Sequence, residues 1–115
     1  MLPQVLFISQ NSRLRRLYHQ SAMQAEYELI PTKSITEALL QLVMNPFSLI
    51  VIEESLPMFE VCTFFDVIDQ KSGWADVPII AIGFEGKRHM LPKRSVYCES
   101  SSHFVRLLKD LCATM

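Results

Sequence analysis

Apolar residues along this chain fall into short continuous blocks separated by stripes at helical spacing. Val5-Leu6-Phe7-Ile8 is one block, bounded by Pro3 before it and Ser9-Gln10-Asn11-Ser12 after it. A run without polar alternation predicts a strand covered on both faces. Leu49-Ile50-Val51-Ile52 and Val77-Pro78-Ile79-Ile80-Ala81-Ile82 have the same character, and Ser95-Val96-Tyr97-Cys98 is a short last strand. Glu26-Tyr27-Glu28-Leu29-Ile30-Pro31 alternates and ends on proline, which predicts an edge strand with one wetter face.

The segments between the strands read as helices. Ser12 is placed to cap the first, which carries Leu14, Leu17, Tyr18 and Met23. Ser34-Ile35-Thr36-Glu37 has the form of a capping box, followed by an apolar stripe of Ala38, Leu39, Leu42 and Val43 that stops at Asn45-Pro46. Residues 58–70 carry Val61, Phe64, Phe65 and Ile68, and Ser72-Gly73 closes that helix. Ser100-Ser101-Ser102 opens a final helix bearing Phe104, Leu107, Leu108 and Leu111. Residues 84–93 contain Gly86 and Pro92 and read as irregular.

Strands alternating with helices predict an α/β fold with helices on both faces of a parallel sheet. A polar second strand at the edge favours a flavodoxin-like, doubly wound, five-stranded sheet in the order 2-1-3-4-5. In that order, ligand chemistry belongs at the carboxyl ends of the first and third strands. Ser9-Gln10-Asn11, Glu53-Glu54 and Gly83-Phe84 converge there.

Composition narrows the function classes. With 115 residues the chain has room for one core, so residues 1–115 are expected to be a single domain. Half the residues are apolar, and 11 basic residues nearly cancel 12 acidic ones. A net charge of −1 gives no overall attraction to nucleic acid. No apolar run approaches a membrane span, and Met1-Leu2-Pro3-Gln4 lacks the features of a secretory signal. Cys62, Cys98 and Cys112 have no metal or redox spacing and are expected to be reduced thiols in a cytoplasmic protein. Histidines 19, 89 and 103 are scattered and pair with no nucleophile motif.

At these residues the chain resembles the receiver domain of bacterial response regulators. Ser48-Leu49-Ile50-Val51-Ile52-Glu53-Glu54-Ser55-Leu56-Pro57-Met58-Phe59 is similar to that family's third strand, phosphoacceptor position and proline turn. Val77 to Gly83 is similar to its fourth strand, and Val5 to Gln10 to its first strand and acidic pair. The resemblance implies that Glu53 stands at the phosphoacceptor position. It places Ser9 and Gln10 where two Mg²⁺-binding carboxylates are needed, Gly83 where a switch hydroxyl belongs, and Glu99 (or Cys98) near the lysine position. None of these is the residue that aspartyl phosphorylation uses. Gly83 and Glu99 are also only sixteen positions apart, too close for the family's full fourth helix, so that helix is expected to be missing or reduced to one turn.

The resemblance therefore implies a degenerate receiver: a non-catalytic signalling or regulatory module with no cofactor and no metal. It would act through a protein partner or effector domain, such as the output part of a transcription regulator whose N-terminal regulatory domain it forms, with no membrane attachment and no direct nucleic-acid binding. Two alternatives are a phosphorylation-competent receiver using a non-standard acid such as Glu53, and a small-ligand sensor exploiting the altered pocket. Glu53 itself reads either as a fixed mimic of the phosphorylated state or as a partly solvated strand-end acid. If Glu99 shares its pocket, one of the two carboxyls should have a raised pKa.

Phe59 and Val67 lie outside the sheet-facing arc of the third helix, which reads either as a contact surface or as Phe59 folding over the pocket rim with Val67 a single tolerated exposed residue, and Phe84 and Phe104 are available beside the shortened fourth connection. These four are the candidate partner surface, and a homodimer is the expected assembly, unless residues 84–93 fold back over the bared strands and leave a monomer. Arg13, Arg15 and Arg16, and separately Lys87, Arg88, Lys93 and Arg94, form two basic clusters able to bind phosphate or an acidic partner. A solvated helix face is the more common reason for such clusters.

Overall fold

The computed structural model describes residues 2–113. Five parallel strands run β1 (Gln4–Ile8), β2 (Glu28–Thr32), β3 (Leu49–Glu53), β4 (Ile79–Ile82) and β5 (Ser95–Cys98). They pair in the order β2-β1-β3-β4-β5, the flavodoxin-like arrangement. Helices α1 (Ser12–Gln24), α2 (Ile35–Met44), α3 (Met58–Asp69) and α4 (Ser101–Ala113) supply the crossovers and the final cover. Between β4 and β5 the chain makes only a three-residue 3₁₀ turn, Arg88–Met90.

The sheet separates two apolar layers. One packs Leu6, Ile8, Ile50, Ile52, Ile79 and Ala81 against α2 and α3, and the other packs Val5, Phe7, Leu49, Val51 and Ile80 against α1 and α4. Alternate residues of the same strand feed opposite layers, which is why these strands show no polar alternation in sequence. Val5 to Ile8 is wholly inaccessible to solvent. Each such side chain contributes on the order of 1.5–3 kcal/mol of transfer free energy.

Several local expectations shift by a residue or two. The cap of α1 is Asn11, not Ser12: its Oδ1 accepts from the backbone N–H groups of Arg13 and Leu14 at 3.0 and 3.2 Å. The α2 cap follows the serine rule, with Glu37 N–H donating to Ser34 Oγ at 3.1 Å. The reciprocal arm, however, goes to Lys33 N–H rather than to the cap amide. Strand β2 starts at Glu28, because Glu26 turns the chain at φ 62°. Strand β4 starts after Pro78.

The apolar stripes of α1 and α2 also need correction. Leu17, Met23 and Val43 are exposed, while α1 turns Tyr18, Ser21 and Ala22 inward. Phe84 and Phe104 are buried, at 1 % and 0 % exposure, and cannot form a partner surface. Phe104 stands edge-on to Tyr18 at 4.9 Å between ring centroids, and Phe84 joins the layer under α2 and α3. Leu91 joins the same layer, so the 84–93 segment covers the core itself. Phe59 is 83 % exposed and Val67 half-buried.

Candidate functional site

The carboxyl ends of β1, β3 and β4 meet at one rim, as doubly wound topology requires. Glu53 is the last residue of β3, and its side chain is only 4 % exposed. It is therefore a buried acid and not a partly solvated one. Ser9, the residue after β1, is completely buried, and its Oγ donates to Glu53 Oε1 at 2.5 Å. The other carboxylate oxygen, Oε2, accepts the backbone N–H of Ser55 at 3.0 Å. Both oxygens are thus satisfied from within the chain, which is what makes the buried acid tolerable.

The serine hydroxyls extend this network. Ser9 Oγ accepts Asn11 N–H at 3.0 Å, and Ser55 Oγ accepts Gln10 N–H at 2.9 Å. The Ser9 carbonyl takes a 2.6 Å bond from Arg15 Nη1. Gln10 contributes its backbone here, and its side chain is exposed. The β1–α1 turn and the β3–α3 turn are stitched together through Glu53.

Gly83 sits at φ 89° just beyond β4. A Cβ there would lie 2.6 Å from Glu54 Oε2 and would overlap that side chain's Cγ and Cδ as well. Glu54 therefore occupies the space a side chain at position 83 would need. Its Oε2 accepts Phe84 N–H at 2.9 Å. Phe84 is itself in the left-handed region, at φ 64°. That conformation costs a bulky residue of order 1–3 kcal/mol, and it is retained by burial of the ring and by the Glu54 bond. No sequence motif marks this contact; two adjacent glutamates at the end of β3 were its only signal.

Glu99 is exposed, and its backbone N–H donates to His103 Nδ1 at 3.2 Å, while Glu53 is held by Ser9 and Ser55. The pairing of two facing carboxylates is not formed. Beneath the rim, burial pushes the Tyr18 phenol well above its ordinary pKa, with the Cys98 thiol and then the Glu53 charge adding to it. Burial likewise raises the Cys98 thiol, against a lowering by its 3.1 Å bond to the Ser100 carbonyl.

Receiver folds imply Mg²⁺, and the donor set does not suit it. Serine hydroxyls and a glutamine replace the hard carboxylates that cation prefers. Among the described residues, no three His, Cys, Asp or Glu side chains come together as a metal site. Of the second basic cluster, Arg94 pairs with Asp69 at 3.0 Å and Arg88 stacks on Tyr97 at 4.1 Å. Among the described residues, no helix is long and apolar enough to cross a membrane.

No family model and no curated protein matches the chain. Solved structures do. The chemotaxis response regulator CheY4 of Vibrio cholerae superposes with a TM-score of 0.79 at 16 % identity, covering 96 % of this chain and 99 % of that one. A putative response regulator from Chloroflexus aurantiacus gives 0.80 at 16 % identity, over 98 % and 99 % of the two chains. A sensor protein from Polaromonas gives 0.82 at 12 % identity, over 97 % of each. At these identities the likeness establishes the fold: the chain has the CheY-like receiver architecture over nearly its whole length.

Proposed function

We propose that this chain is a non-catalytic, receiver-like signalling module that works through protein contacts and without aspartyl phosphorylation. The observation that carries this reading is the occupancy of the Glu53 carboxylate. A phosphoacceptor must present a free oxygen in line with the donor, and in-line transfer tolerates errors of ~1 Å poorly. Here Oε1 is engaged by the Ser9 hydroxyl and Oε2 by Ser55 N–H, inside a buried pocket. The missing hydroxyl at Gly83 and the Glu54 side chain standing in that space point the same way.

On this reading the short Arg88–Met90 turn replaces the fourth helix of a receiver, and the partner is a protein or effector domain. Self-association is part of the proposal. Of the surface first expected, Phe84 and Phe104 are buried while Phe59 on α3 stays exposed, and the larger exposed apolar stripe is on α2 (Leu40, Val43 and Met44), where this reading puts the contact.

Intact-mass spectrometry with Mg²⁺ and a small phosphodonor tests the proposal. The expected spectrum shows no adduct. A stoichiometric phosphoryl adduct that disappears in Glu53→Gln would establish the phosphorylation-competent alternative instead.

A further inference from the structure

Helix α1 presents Ser12, Arg15, Arg16, His19 and Gln20 on one side, at the i, i+3, i+4, i+7, i+8 spacing of a single helical face. Together with Pro31 of β2 they line an open cleft of about 600 Å³. No acid lines it, and the one ion pair among the described residues, Arg94 with Asp69, is elsewhere. The Arg16 and His19 side chains make no hydrogen bond or ion pair. Arg15 is already oriented, because its Nη1 is bonded to the Ser9 carbonyl at 2.6 Å.

No acid beside the cleft accounts for this charge placement. The first turn of a helix carries the positive end of its dipole, where acids are preferred to cations, and Arg15 stands at the end of that turn. Helix α1 has no acid in its first turn and two arginines on the cleft wall. Two neighbouring guanidiniums, an imidazole, a hydroxyl and an amide offer many donors and no carboxylate. That combination matches phosphoryl oxygens, which arginine recognises through paired N–H groups.

We infer that the α1–β2 cleft is a binding site for a small polyphosphorylated anion, separate from the Glu53 pocket and independent of the receiver-like reading of that pocket. Arg15 and Arg16 hold the phosphoryl groups, and His19, Ser12 and Gln20 complete the contacts. The cleft volume lies within the range of small-ligand sites. Its openness to solvent makes the interaction strongly dependent on ionic strength.

Inorganic pyrophosphate is the probe, followed by backbone amide shifts in nuclear magnetic resonance titrations at low and at moderate salt. Saturable shifts confined to residues 12–20 and 31–33 are expected, weakening as salt is raised. Arg16→Gln/His19→Gln removes two exposed, unpartnered groups and leaves the Arg15–Ser9 bond intact, so the fold should survive, as circular dichroism would check. Losing charge-assisted bonds should weaken binding by roughly tenfold or more. Glu53→Gln should leave it unchanged. Undiminished binding in the double variant, or shifts that never saturate, would overturn the assignment. So would a hexaglutamate peptide binding more tightly than pyrophosphate, since the cleft would then serve an acidic protein segment.

Discussion

At the residue scale, Ser9 supplies to Glu53 what a cation would supply elsewhere: a short, strong donor to a buried carboxylate. Ser9→Ala leaves Oε1 without that partner in a site closed to water, so a loss of about 1–3 kcal/mol is expected by urea denaturation. Glu53→Gln retains a group able to bond both Ser9 and Ser55, and should cost less. Tyr18 and Cys98 give a pH prediction. Their pKa values are raised in the folded state, so the unfolded chain releases these protons first. Their contribution is intact below the unfolded thiol value of about 8.5 and is lost as pH climbs through it and then past about 10, where the unfolded phenol titrates. Stability should therefore fall between neutral and alkaline pH. Cys98→Ala should remove the earlier part of that fall, measured as urea midpoints on either side of the thiol value.

At the element scale, Glu54, Gly83 and Phe84 tie the end of β3 to the β4–β5 connection. Gly83→Ala imposes a left-handed conformation on alanine and pushes Glu54 aside, which breaks its bond to Phe84. About 2–3 kcal/mol should be lost, falling to about 1–2 in a Glu54→Ala background, where only the backbone strain remains. A double-mutant cycle by chemical denaturation measures the difference, and additive costs would show that the two residues are not coupled. The five strands and their order were legible because β1, β3 and β4 are unbroken apolar runs that only a doubly covered sheet accommodates. The faces of α1 were less legible. That helix turns Ser21 and Ala22 inward while Leu17 and Met23 face solvent, and counting large apolar letters cannot find an interface made of small residues. The Ser9–Glu53 pocket was legible as a location, since topology alone brings those positions together. Its chemistry was not, because burial of Glu53 depends on a hydroxyl rotamer and a turn amide that no spacing rule encodes.

For the whole molecule, the question is which surface remains uncovered once the 84–93 segment has tucked Phe84 and Leu91 inward. Besides the single Phe59 of α3, helix α2 leaves a stripe: Leu40, Val43 and Met44 are 60 %, 73 % and 75 % exposed at i, i+3, i+4 spacing. Val43 and Met44 also border a groove of about 340 Å³ that reaches Trp74. A second copy meeting this stripe about a twofold axis would bury the same residues on both subunits. Light scattering across a dilution series should show a dimer that Val43→Glu/Met44→Glu converts to monomer with little change in thermal midpoint, since both side chains are already in water. A monomeric mass at every concentration would remove self-association from the proposal.

Pro31 has a further consequence, for how the sheet ends. Glu28 N–H reaches the Pro3 carbonyl at 2.9 Å, and the Thr32 carbonyl accepts from Ser9 N–H at 3.1 Å. Even-numbered residues of β2 therefore direct their backbone groups toward β1, and Leu29 and Pro31 direct theirs outward. At Pro31 that outward donor does not exist, so a foreign strand docking on this side would find one rung of the ladder missing. Pro31→Thr would restore the rung and present a template for intermolecular strand addition. The variant should keep its fold yet form thioflavin-positive aggregates sooner under gentle agitation. The proline thus acts as a stop on sheet growth, protecting in crowded solution a flank that the fold leaves bare.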